Sequence, residues 1–358
     1  MSSVVVLGGG YAGMKVAKTL DDVADVTLVD PSDAFLHNVA SWRALVEPSW
    51  IDRIFLPYDR LLHRGTILRD RAVAVDGRTV TLASGATLRP DYLVLATGSA
   101  YPFPAKTPEN DAAAARAAIA AAHTELIGAA RVLLVGAGPA GLELAGEIKH
   151  FFPDKQVTIV DIAPDILAGP YDQELRDELR RQLDKLDVTL LLGSPLRELP
   201  ETPAATAGPV SVTTAAGDQV TADIWFRCFG VAPATDFVPE SLLDETGRVR
   251  VDAWLRVPGV DGVYALGDAA NADRPTAGAA GRQADVVAAS LRARITGEGE
   301  EGTYEAPPVA VLVPLGPEAG AGQLPGAGVI GPEKASEIKG RTMLLDWYEV
   351  LFDAPARR

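Results

Sequence analysis

At the start of the chain, short runs of apolar residues alternate with a stretch whose apolar residues recur at helical spacing. Val4–Leu7 is a run of β-branched and aliphatic residues, and Ala12–Leu20 is an amphipathic stretch behind a glycine turn. A second apolar run, Val26–Val29, ends in Asp30. Such runs are typical of buried parallel strands that turn sharply into a helix. The pattern therefore predicts a strand–helix–strand unit at the N-terminus.

The same pattern returns further along the chain. Val132–Val135 is an apolar run, Gly136–Gly141 is a glycine-rich turn, helical spacing continues to about His150, and Val157–Val160 ends in Asp161. Two copies so far apart do not form a short-period repeat. We therefore expect two units of one architecture.

The remaining sequence predicts further elements around these two units. Hairpin strands are expected in residues 73–88, and other predicted strands are Tyr92–Leu95, Ile224–Phe229 and Val263–Leu266. Predicted helices are Ala112–Ile127, a helix with Leu175, Leu179, Leu183 and Leu186 on one face, and Gly278–Ile295. Pro200–Pro209 is expected to be a loop and Gly297–Gly302 a connector, whereas residues 314–332 allow no assignment.

Length and composition indicate a globular protein of more than one domain. A chain of 358 residues exceeds the roughly 250–300 residues at which a single hydrophobic core stops growing. Its 47% hydrophobic and 23% charged residues are ordinary for a globular protein. We expect an α/β protein with two domains and a smaller C-terminal piece.

Charge and the N-terminal sequence limit the partners and the location of the protein. The formal net charge of -15 repels nucleic acid and anionic lipid. The segment after Met1 lacks the basic and apolar parts of a signal peptide, and position 2 is Ser2 instead of a glycine for myristoylation. No apolar run of about 18 residues predicts a transmembrane helix. We predict a cytoplasmic protein with no nucleic acid partner.

The chain contains a single cysteine, Cys228, within the predicted strand Ile224–Phe229. An intrachain disulfide, a zinc cluster of cysteines and a paired-cysteine redox motif are therefore excluded. We expect a buried, inert thiol and predict no metal site.

The first glycine turn has the spacing of a dinucleotide-binding signature. Gly8-x-Gly10-x-x-Gly13 follows a strand and opens a helix, so backbone amides and the positive helix end face outward toward a diphosphate. Asp30, at the end of the next strand, is placed to accept hydrogen bonds from ribose hydroxyls. Tyr11 and Ala12 lie inside the signature and are predicted to line the same site. The alternative is a glycine turn required only for packing.

The second turn repeats this arrangement. Gly136-x-Gly138-x-x-Gly141 is followed, after one helix and one strand, by Asp161. A carboxylate at this position pairs with a free ribose 2'-hydroxyl and repels a 2'-phosphate. Ile162 and Ala163 follow it, where an arginine would accommodate that phosphate. The sequence therefore predicts NADH in preference to NADPH.

Three further motifs accompany the two signatures. Ala96-Thr97-Gly98 follows the strand Tyr92–Leu95, Gly230 and Pro233 follow the strand with Cys228, and Gly267-Asp268 follows Val263–Leu266. With these motifs, the sequence resembles the pyridine-nucleotide flavoprotein superfamily over roughly its first 300 residues.

The resemblance implies an α/β fold with two Rossmann-like, three-layer nucleotide-binding domains, in which an FAD domain is interrupted by an NAD(P)H domain. It assigns residues 1–108 and 248–303 to FAD binding, 109–247 to NAD(P)H binding and 304–358 to a small C-terminal α+β piece for the acceptor or an interface. FAD is expected at the first signature, Asp30 and Asp268. Further cofactor-binding residues are expected in the crossover and late motifs, namely Ala96, Thr97, Gly98, Gly230 and Gly267. The nicotinamide cofactor is expected at the second signature and Asp161.

Within the superfamily, the sequence is most similar to ferroptosis suppressor proteins, which are quinone reductases related to apoptosis-inducing factor. The shared residues are His37-Asn38-Val39-Ala40 with Arg43, Phe103-Pro104, Gly141-x-Glu143 with Ala145 and Glu147, and Gly320-x-Gly322-Gln323. Type II NADH:quinone dehydrogenases share the Gly141-x-Glu143 arrangement. One departure is Glu305 after Tyr304, where the relatives carry a lysine.

Four polar residues have predicted roles at the cofactors. Glu143 is the predicted catalytic residue, placed to orient the nicotinamide amide or to tune the flavin, and a carboxylate that only stabilises the helix start is the alternative. His37 and Asn38 are predicted beside the flavin or its diphosphate, although a histidine that caps local backbone explains His37 as well. Gln283 is predicted at the pyrimidine edge of the flavin, with a solvated polar residue as the alternative.

An apolar cluster lies near the C-terminus. It is expected to pack on the protein's own core or in a homodimer, and peripheral docking on a membrane or a wall of a quinone pocket are the alternatives. Its residues are Met343, Leu344, Leu345, Trp347, Tyr348, Leu351 and Phe352.

Three functions are compatible with these motifs. In the first, hydride passes from NADH to FAD, and a quinone-like small molecule is then reduced. In the second, the acceptor is a protein such as ferredoxin, or one small metabolite. In the third, the protein is a redox sensor that changes shape when NADH reduces the flavin. The sequence leaves the acceptor open.

Overall fold

A computed structural model describes residues 1–353, and residues 354–358 lie outside the described part. The first 108 residues form two α-helices and ten strands. They are β1 (Ser3–Leu7), α1 (Tyr11–Leu20), β2 (Asp25–Asp30), β3 (Ala34–Leu36), α2 (Ser41–Val46), β4 (Phe55–Pro57), β5 (Thr66–Arg69), β6 (Ala72–Asp76), β7 (Thr79–Leu82), β8 (Thr87–Leu88), β9 (Tyr92–Leu95) and β10 (Ser99–Ala100).

Residues 109–303 continue with helices and strands of the second unit and then return to the first. They form α3 (Ala112–Gly128), β11 (Arg131–Val135), α4 (Pro139–Phe151), β12 (Gln156–Val160), α5 (Gln173–Lys185), β13 (Val188–Leu191), β14 (Val210–Thr213), β15 (Gln219–Ala222), β16 (Ile224–Arg227), β17 (Ala232–Pro233), β18 (Val263–Ala265) and α6 (Ala277–Thr296).

The last fifty described residues form a small sheet and short helices. These are β19 (Val311–Pro314), β20 (Gly320–Leu324), β21 (Gly328–Ile330), α7 (Pro332–Ala335), a π-helical turn at Ser336–Gly340 and α8 (Leu345–Leu351). Residues 314–332, which the sequence left unassigned, thus contain most of an antiparallel sheet.

Two parallel sheets organise the molecule. The first has the strand order β18-β9-β1-β2-β5. Its edge strand β18 follows the whole second unit along the chain, so the second unit interrupts the first. The second has the order β13-β12-β11-β16. Parallel sheets of this kind are covered on both faces. The predicted α/β fold class, with an interrupted first unit, is confirmed.

Alternating side chains of β1 explain the three layers of the first unit. Val4 and Val6 pack in a core with α1 and α6, whereas Val5 and Leu7 pack on the opposite face below the hairpin strands β6 and β7. Successive side chains of a strand point to opposite faces of its sheet. A strand buried on both faces must therefore be apolar at every position, as the sequence pattern indicated.

The C-terminal piece joins both units. Val313, Leu315 and Ala321, from its sheet, belong to the core of the second unit around α4 and α5. Phe352 packs instead in the core of the first unit, against α1 and α6. The C-terminal piece therefore fixes the two units to each other.

The apolar cluster near the C-terminus is mostly internal. Met343, Leu345 and Phe352 are buried, as expected for packing on the protein's own core, while Trp347 and Val350 of α8 are exposed. Among residues 1–353, no helix is both long and apolar enough to span a membrane.

One predicted strand is shorter than expected. The segment Ile224–Phe229 forms β16 only as far as Arg227, so Cys228 lies in the loop that follows. The reason is its neighbour β11, which ends at Val135 before a left-handed glycine turn. One further bond, from the Cys228 N–H to the Val135 carbonyl, closes the ladder at 2.8 Å.

Candidate functional site

One cleft of about 460 Å³ lies where the two units and the C-terminal piece meet. Its walls include the first glycine turn, the loop after β9, the start of α4, the start of α6 and Lys339. Ligand sites in open α/β folds lie at the carboxyl ends of the strands, and pockets of about 300–1,000 Å³ are typical for small molecules and cofactors. The position and size of this cleft make it the candidate site.

The three signature glycines of the first turn, Gly8, Gly10 and Gly13, have two different functions. A Cβ at Gly8 would lie 2.4 Å from the Ala96 carbonyl oxygen, and one at Gly13 would lie 1.8 Å from the Gly8 carbonyl oxygen. These two glycines permit close packing of strand, turn and helix. At Gly10, by contrast, no atom lies within 4 Å of the Cβ position, which opens into the cleft. The backbone at the start of α1 is thus bare and accessible to a diphosphate.

Asp30 is fixed at the edge of this turn. Its carboxylate accepts hydrogen bonds from the Gly9 N–H at 2.6 Å and the Ser32 N–H at 2.8 Å. Burial raises the pKa of Asp30, and these two hydrogen bonds oppose the rise. Tyr11 and Ala12 also line the cleft, beside Asp30.

The loop after β9 and the late motif meet across the cleft. Ser99 donates a hydrogen bond from Oγ to the Asp268 carboxylate at 2.5 Å, and Lys106 donates to the Ser99 carbonyl oxygen at 2.7 Å. Thr97 donates from Oγ1 to the Ala234 carbonyl oxygen at 2.6 Å. The structure therefore brings together Ala96, Thr97, Gly98, Gly267 and Asp268, which line the cleft.

Lys106 is a cleft residue that the sequence analysis did not identify. Its ammonium lies 3.7 Å from the Asp268 carboxylate. Burial lowers the pKa of Lys106, and the charge of Asp268 opposes that shift. A single lysine in a loop carries no sequence pattern, so no signal was available to find it.

The side chain of Asn38 contributes a further polar group to the cleft. It lines the cleft, and its buried side-chain Oδ1 has no hydrogen-bond partner among the described residues. Buried polar atoms are rarely left without one. A phosphate- and ribose-bearing cofactor such as FAD fits this set of groups, which comprises the open Gly10 backbone, the unpartnered Oδ1 of Asn38 and the carboxylates of Asp30 and Asp268.

His37 lies behind the cleft wall and is fully buried. Its Nε2 is 2.7 Å from the Met343 carbonyl oxygen, and its Nδ1 is 3.2 Å from the Tyr11 hydroxyl. Tyr11, which does line the cleft, separates it from the open space. Direct contact between His37 and a cofactor stays a prediction.

The second glycine turn copies the first in detail. A Cβ at Gly136 would lie 2.8 Å from the Cys228 carbonyl oxygen, and one at Gly141 would lie 1.9 Å from the Gly136 carbonyl oxygen. Gly138 again has no atom within 4 Å of its Cβ position. Asp161 accepts from the Ala137 N–H at 2.5 Å, as Asp30 does in the first turn.

Glu143 lies in the second turn of α4 and faces the cleft. Its Oε1 accepts a hydrogen bond from the ammonium of Lys339 at 2.7 Å, and the two side chains are only 10% and 13% exposed. Burial raises the pKa of Glu143, whereas Lys339 lowers it. The sequence could not identify Lys339, because a single lysine 196 residues from Glu143 carries no pattern that links the two.

Behind this pair lies a second, fully buried one. Arg43 donates to Glu147 from Nε at 2.6 Å and from Nη2 at 2.8 Å, and also to the Gly340 carbonyl oxygen at 2.9 Å. Glu147 is one helical turn beyond Glu143, and Gly340 follows Lys339. Arg43 therefore connects the first unit, α4 and the C-terminal piece at a single point.

Three other predicted residues lie at the margin of the cleft or outside it. Gln283 is buried, and its Oε1 accepts from the Gly267 N–H at 2.7 Å, so it supports the late motif from behind. Gly230 adopts φ +97 beside the Arg227 guanidinium. Cys228 is buried, and burial raises the pKa of its thiol to about 12, which leaves no thiolate at neutral pH.

Comparisons with known proteins point to one family. The family described as pyridine nucleotide-disulphide oxidoreductase matches residues 2–290. Ferroptosis suppressor protein 1 of Homo sapiens is 31% identical over 90% of this chain and 88% of its own length. Apoptosis-inducing factor homolog B of Dictyostelium discoideum is 27% identical over 96% of this chain and 95% of its own.

A solved structure shares the fold over almost its full length. NDH2 from Plasmodium falciparum in complex with NADH superposes with a TM-score of 0.74, at 13% identity, over 98% of this chain and 97% of its own. At that identity the likeness concerns the fold alone.

Proposed function

The chain belongs to the pyridine nucleotide-disulphide oxidoreductase family, and from that premise we propose that it is an FAD-dependent oxidoreductase that passes hydride from NADH to FAD and then reduces a quinone. The family name does not imply disulfide chemistry here. The chain has one cysteine, and that thiol is buried and protonated at neutral pH. Electrons must therefore pass to an acceptor other than a cysteine disulfide of this chain.

The observation that carries this proposal is the meeting of two nucleotide-binding turns at one cleft. Residues Gly8–Ala12, at the start of α1, line the same space as Pro139, Ala140 and Glu143, at the start of α4. Helix N-termini favour anionic phosphates. The redox chemistry, in which hydride passes from nicotinamide to flavin and electrons then pass to the acceptor, is supplied by the bound cofactors.

The chain's own residues bind and orient in this proposal. The bare backbone at Gly10 and at Gly138 receives the two diphosphates, while Asp30 and Asp161 accept from ribose hydroxyls. Asp268, held by Ser99 and Lys106, supports the ribityl chain of FAD, as the resemblance implies.

Glu143 and Lys339 support a quinone as the acceptor. Reduction of a quinone requires hydrogen-bond donors at its carbonyl oxygens and a supply of protons. The Lys339 ammonium is a hydrogen-bond donor at the cleft wall. Burial raises the pKa of Glu143, which is placed to exchange protons with Lys339. Such acid–base groups typically contribute about 10²- to 10⁴-fold to a rate.

An acceptor screen tests the proposed function. The FAD-loaded protein is reduced with NADH under anaerobic conditions in a stopped-flow instrument and then mixed with menadione or a ubiquinone analogue. We expect rapid reoxidation by a quinone and a roughly 100-fold slower turnover for Glu143→Gln. Glu337→Gln, which removes an exposed carboxylate paired with Lys334 in the same C-terminal piece, is the matched control and should leave turnover unchanged.

Two results would count against the quinone. Negligible reoxidation by every quinone tested removes it as the acceptor, and a stable reduced flavin would then favour a sensor. A protein that takes up no flavin removes the whole proposal.

The donor preference rests on Asp161. Both of its carboxylate oxygens are held by backbone N–H groups, of Ala137 at 2.5 Å and Ala163 at 2.7 Å, so the negative charge is fixed beside the second turn. We predict a lower KM for NADH than for NADPH, and a reduced difference in Asp161→Ala because the repulsion of a 2'-phosphate is removed. Asp177→Ala, an exposed change on α5, is the control. Equal KM values for the two donors in the unaltered protein contradict the prediction.

A further inference from the structure

Arg227 is the last residue of β16, and its charge acts on Tyr101, a residue of the first unit. In the ladder of the second sheet it pairs with Val135, the residue directly before Gly136. Asp161 follows β12, on the other side of β11. Arg227 and Asp161 therefore flank the second glycine turn from opposite sides.

Among residues 1–353, the guanidinium of Arg227 has no hydrogen-bond acceptor and no ion-pair partner. Its Nε is buried without a hydrogen bond, and no carboxylate of residues 1–353 forms an ion pair with it. A buried donor without an acceptor is costly to a folded protein. In a chain with a net charge of -15, acidic partners are abundant, so an arginine with none suggests that its acceptor comes from outside.

The surroundings hold the guanidinium in place without neutralising it. It lies over the ring of Phe229, 4.5 Å from the centroid, in a cation–π contact. Burial raises the pKa of the nearby Tyr101 hydroxyl, and the positive charge of Arg227 opposes that rise. Tyr101 itself lines the cleft. A Cβ at Gly230 would be only 2.9 Å from the Arg227 Nη2, so the glycine leaves space for the guanidinium.

We propose that Arg227 binds a phosphate of the nicotinamide half of the dinucleotide donor. This inference rests on the proposed function and extends it to a residue with no assigned role. Dinucleotides cross the carboxyl ends of a parallel sheet at the point where the strand order reverses, which here lies between β11 and β16. Asp161, beyond β12, is expected to hold the adenosine ribose, so the other half extends over β16. A planar guanidinium stacked on an aromatic ring is well suited to a phosphate.

Ligand binding to the FAD-loaded protein tests the proposal without turnover. Dissociation constants of NADH and AMP are measured by calorimetry under anaerobic conditions for the unaltered protein and for Arg227→Met, after the bound flavin has been reduced with dithionite so that NADH binds without transferring hydride. We expect the Kd of NADH to rise roughly 10- to 100-fold, because a charge-assisted hydrogen bond to phosphate is lost. The Kd of AMP, which carries only the adenosine half, should stay within about two-fold.

Two further variants separate the proposal from a folding defect. Arg53→Met removes an arginine stacked on Trp50 at 4.2 Å outside the cleft, and it should bind NADH as the unaltered protein does. Arg227→Lys keeps the charge without the planar fork and should recover part of the NADH affinity. If Arg227→Met does not fold, the lysine variant and the salt dependence of NADH binding provide the same comparison.

The outcomes are distinct. Equal NADH affinity in Arg227→Met and the unaltered protein overturns the proposal, and so does an equal loss of AMP affinity, which would indicate a general effect on the fold. Failure of the unaltered protein to bind NADH contradicts the proposed function itself. Selective loss of NADH affinity supports both.

Discussion

At the residue scale, His37 illustrates how burial decides the protonation of a side chain. Its Nε2 faces the Met343 carbonyl oxygen, which only accepts, so Nε2 must carry a proton. The Nδ1 then accepts from the Tyr11 hydroxyl, which in turn accepts from the Val39 N–H at 3.0 Å. Burial lowers the pKa of His37 to about 4. The neutral ring thus connects the cleft wall to the C-terminal piece.

This depressed pKa predicts an acid sensitivity of the fold. In the unfolded chain the histidine titrates near 6.5, so the stabilisation from a neutral His37 is complete above that pH and is lost as the pH falls toward 4. We expect the free energy of unfolding to drop by about 2 kcal/mol more between pH 7 and pH 5 in the unaltered protein than in His37→Gln. Urea denaturation at the two pH values measures it.

His63→Gln is the control for this experiment. His63 is 74% exposed and should follow the unaltered protein at both pH values. An unchanged pH dependence in His37→Gln would show that another group causes the acid sensitivity.

At the scale of elements, α4 and the C-terminal sheet touch through their backbones. A Cβ at Gly146 of α4 would lie 2.2 Å from the Leu315 Cα, after β19. Beyond that sheet, the π-helical turn at Ser336–Gly340 is closed by the Arg341 N–H to the Ser336 carbonyl oxygen at 3.1 Å. Turns of this type are frequent at functional sites. This one presents Lys339 to Glu143.

The contact at Gly146 predicts a coupled loss of stability and activity. In Gly146→Ala the added methyl must displace the Leu315 backbone, which we expect to lower the free energy of unfolding by roughly 1–3 kcal/mol. The shift moves the C-terminal piece and with it Lys339, so quinone-dependent NADH oxidation should also fall.

Gly128→Ala is the matched control, because its Cβ position at the end of α3 meets no atom within 4 Å. Chemical denaturation and steady-state rates of both variants provide the comparison. Full activity and unchanged stability in Gly146→Ala would mean that the sheet moves aside freely.

At the scale of the whole molecule, Arg43 joins three parts of the chain that are distant in sequence. It donates to Glu147 of the second unit and to the Gly340 carbonyl oxygen of the C-terminal piece, while it belongs to α2 of the first. Its side chain and that of Glu147 are 2% and 0% exposed. Burial raises the pKa of Glu147, and Arg43 opposes that shift.

Removal of this arginine should destabilise the whole folded chain. Arg43→Met leaves Glu147 buried without its cation, and we expect the free energy of unfolding to fall by about 3–5 kcal/mol. The double variant Arg43→Met with Glu147→Leu should recover most of that loss, since replacing both charges by apolar groups is often close to neutral. Equal destabilisation of the single and double variants would instead assign the effect to the lost bond to Gly340.

The sequence by itself determined the two nucleotide-binding units and their glycine turns. Strands buried on both faces, such as β1 and β11, need apolar residues throughout, and Gly10 and Gly138 belong to signatures that span six residues. This information is local, because it depends on backbone conformation and on neighbours within one turn. The predicted α/β class follows from it and is confirmed, whereas the domain boundaries and site assignments stay predictions.

Only the tertiary structure decided which side chains share the cleft. Lys339 reaches Glu143 across 196 residues of sequence, and Lys106 and Arg227 become notable only through their surroundings. Lys339 is brought to Glu143 by the packing of the C-terminal sheet on α4, a contact that no periodic pattern in the sequence marks. Charges acquire their role from burial and from distant partners, and neither is encoded in the residues beside them.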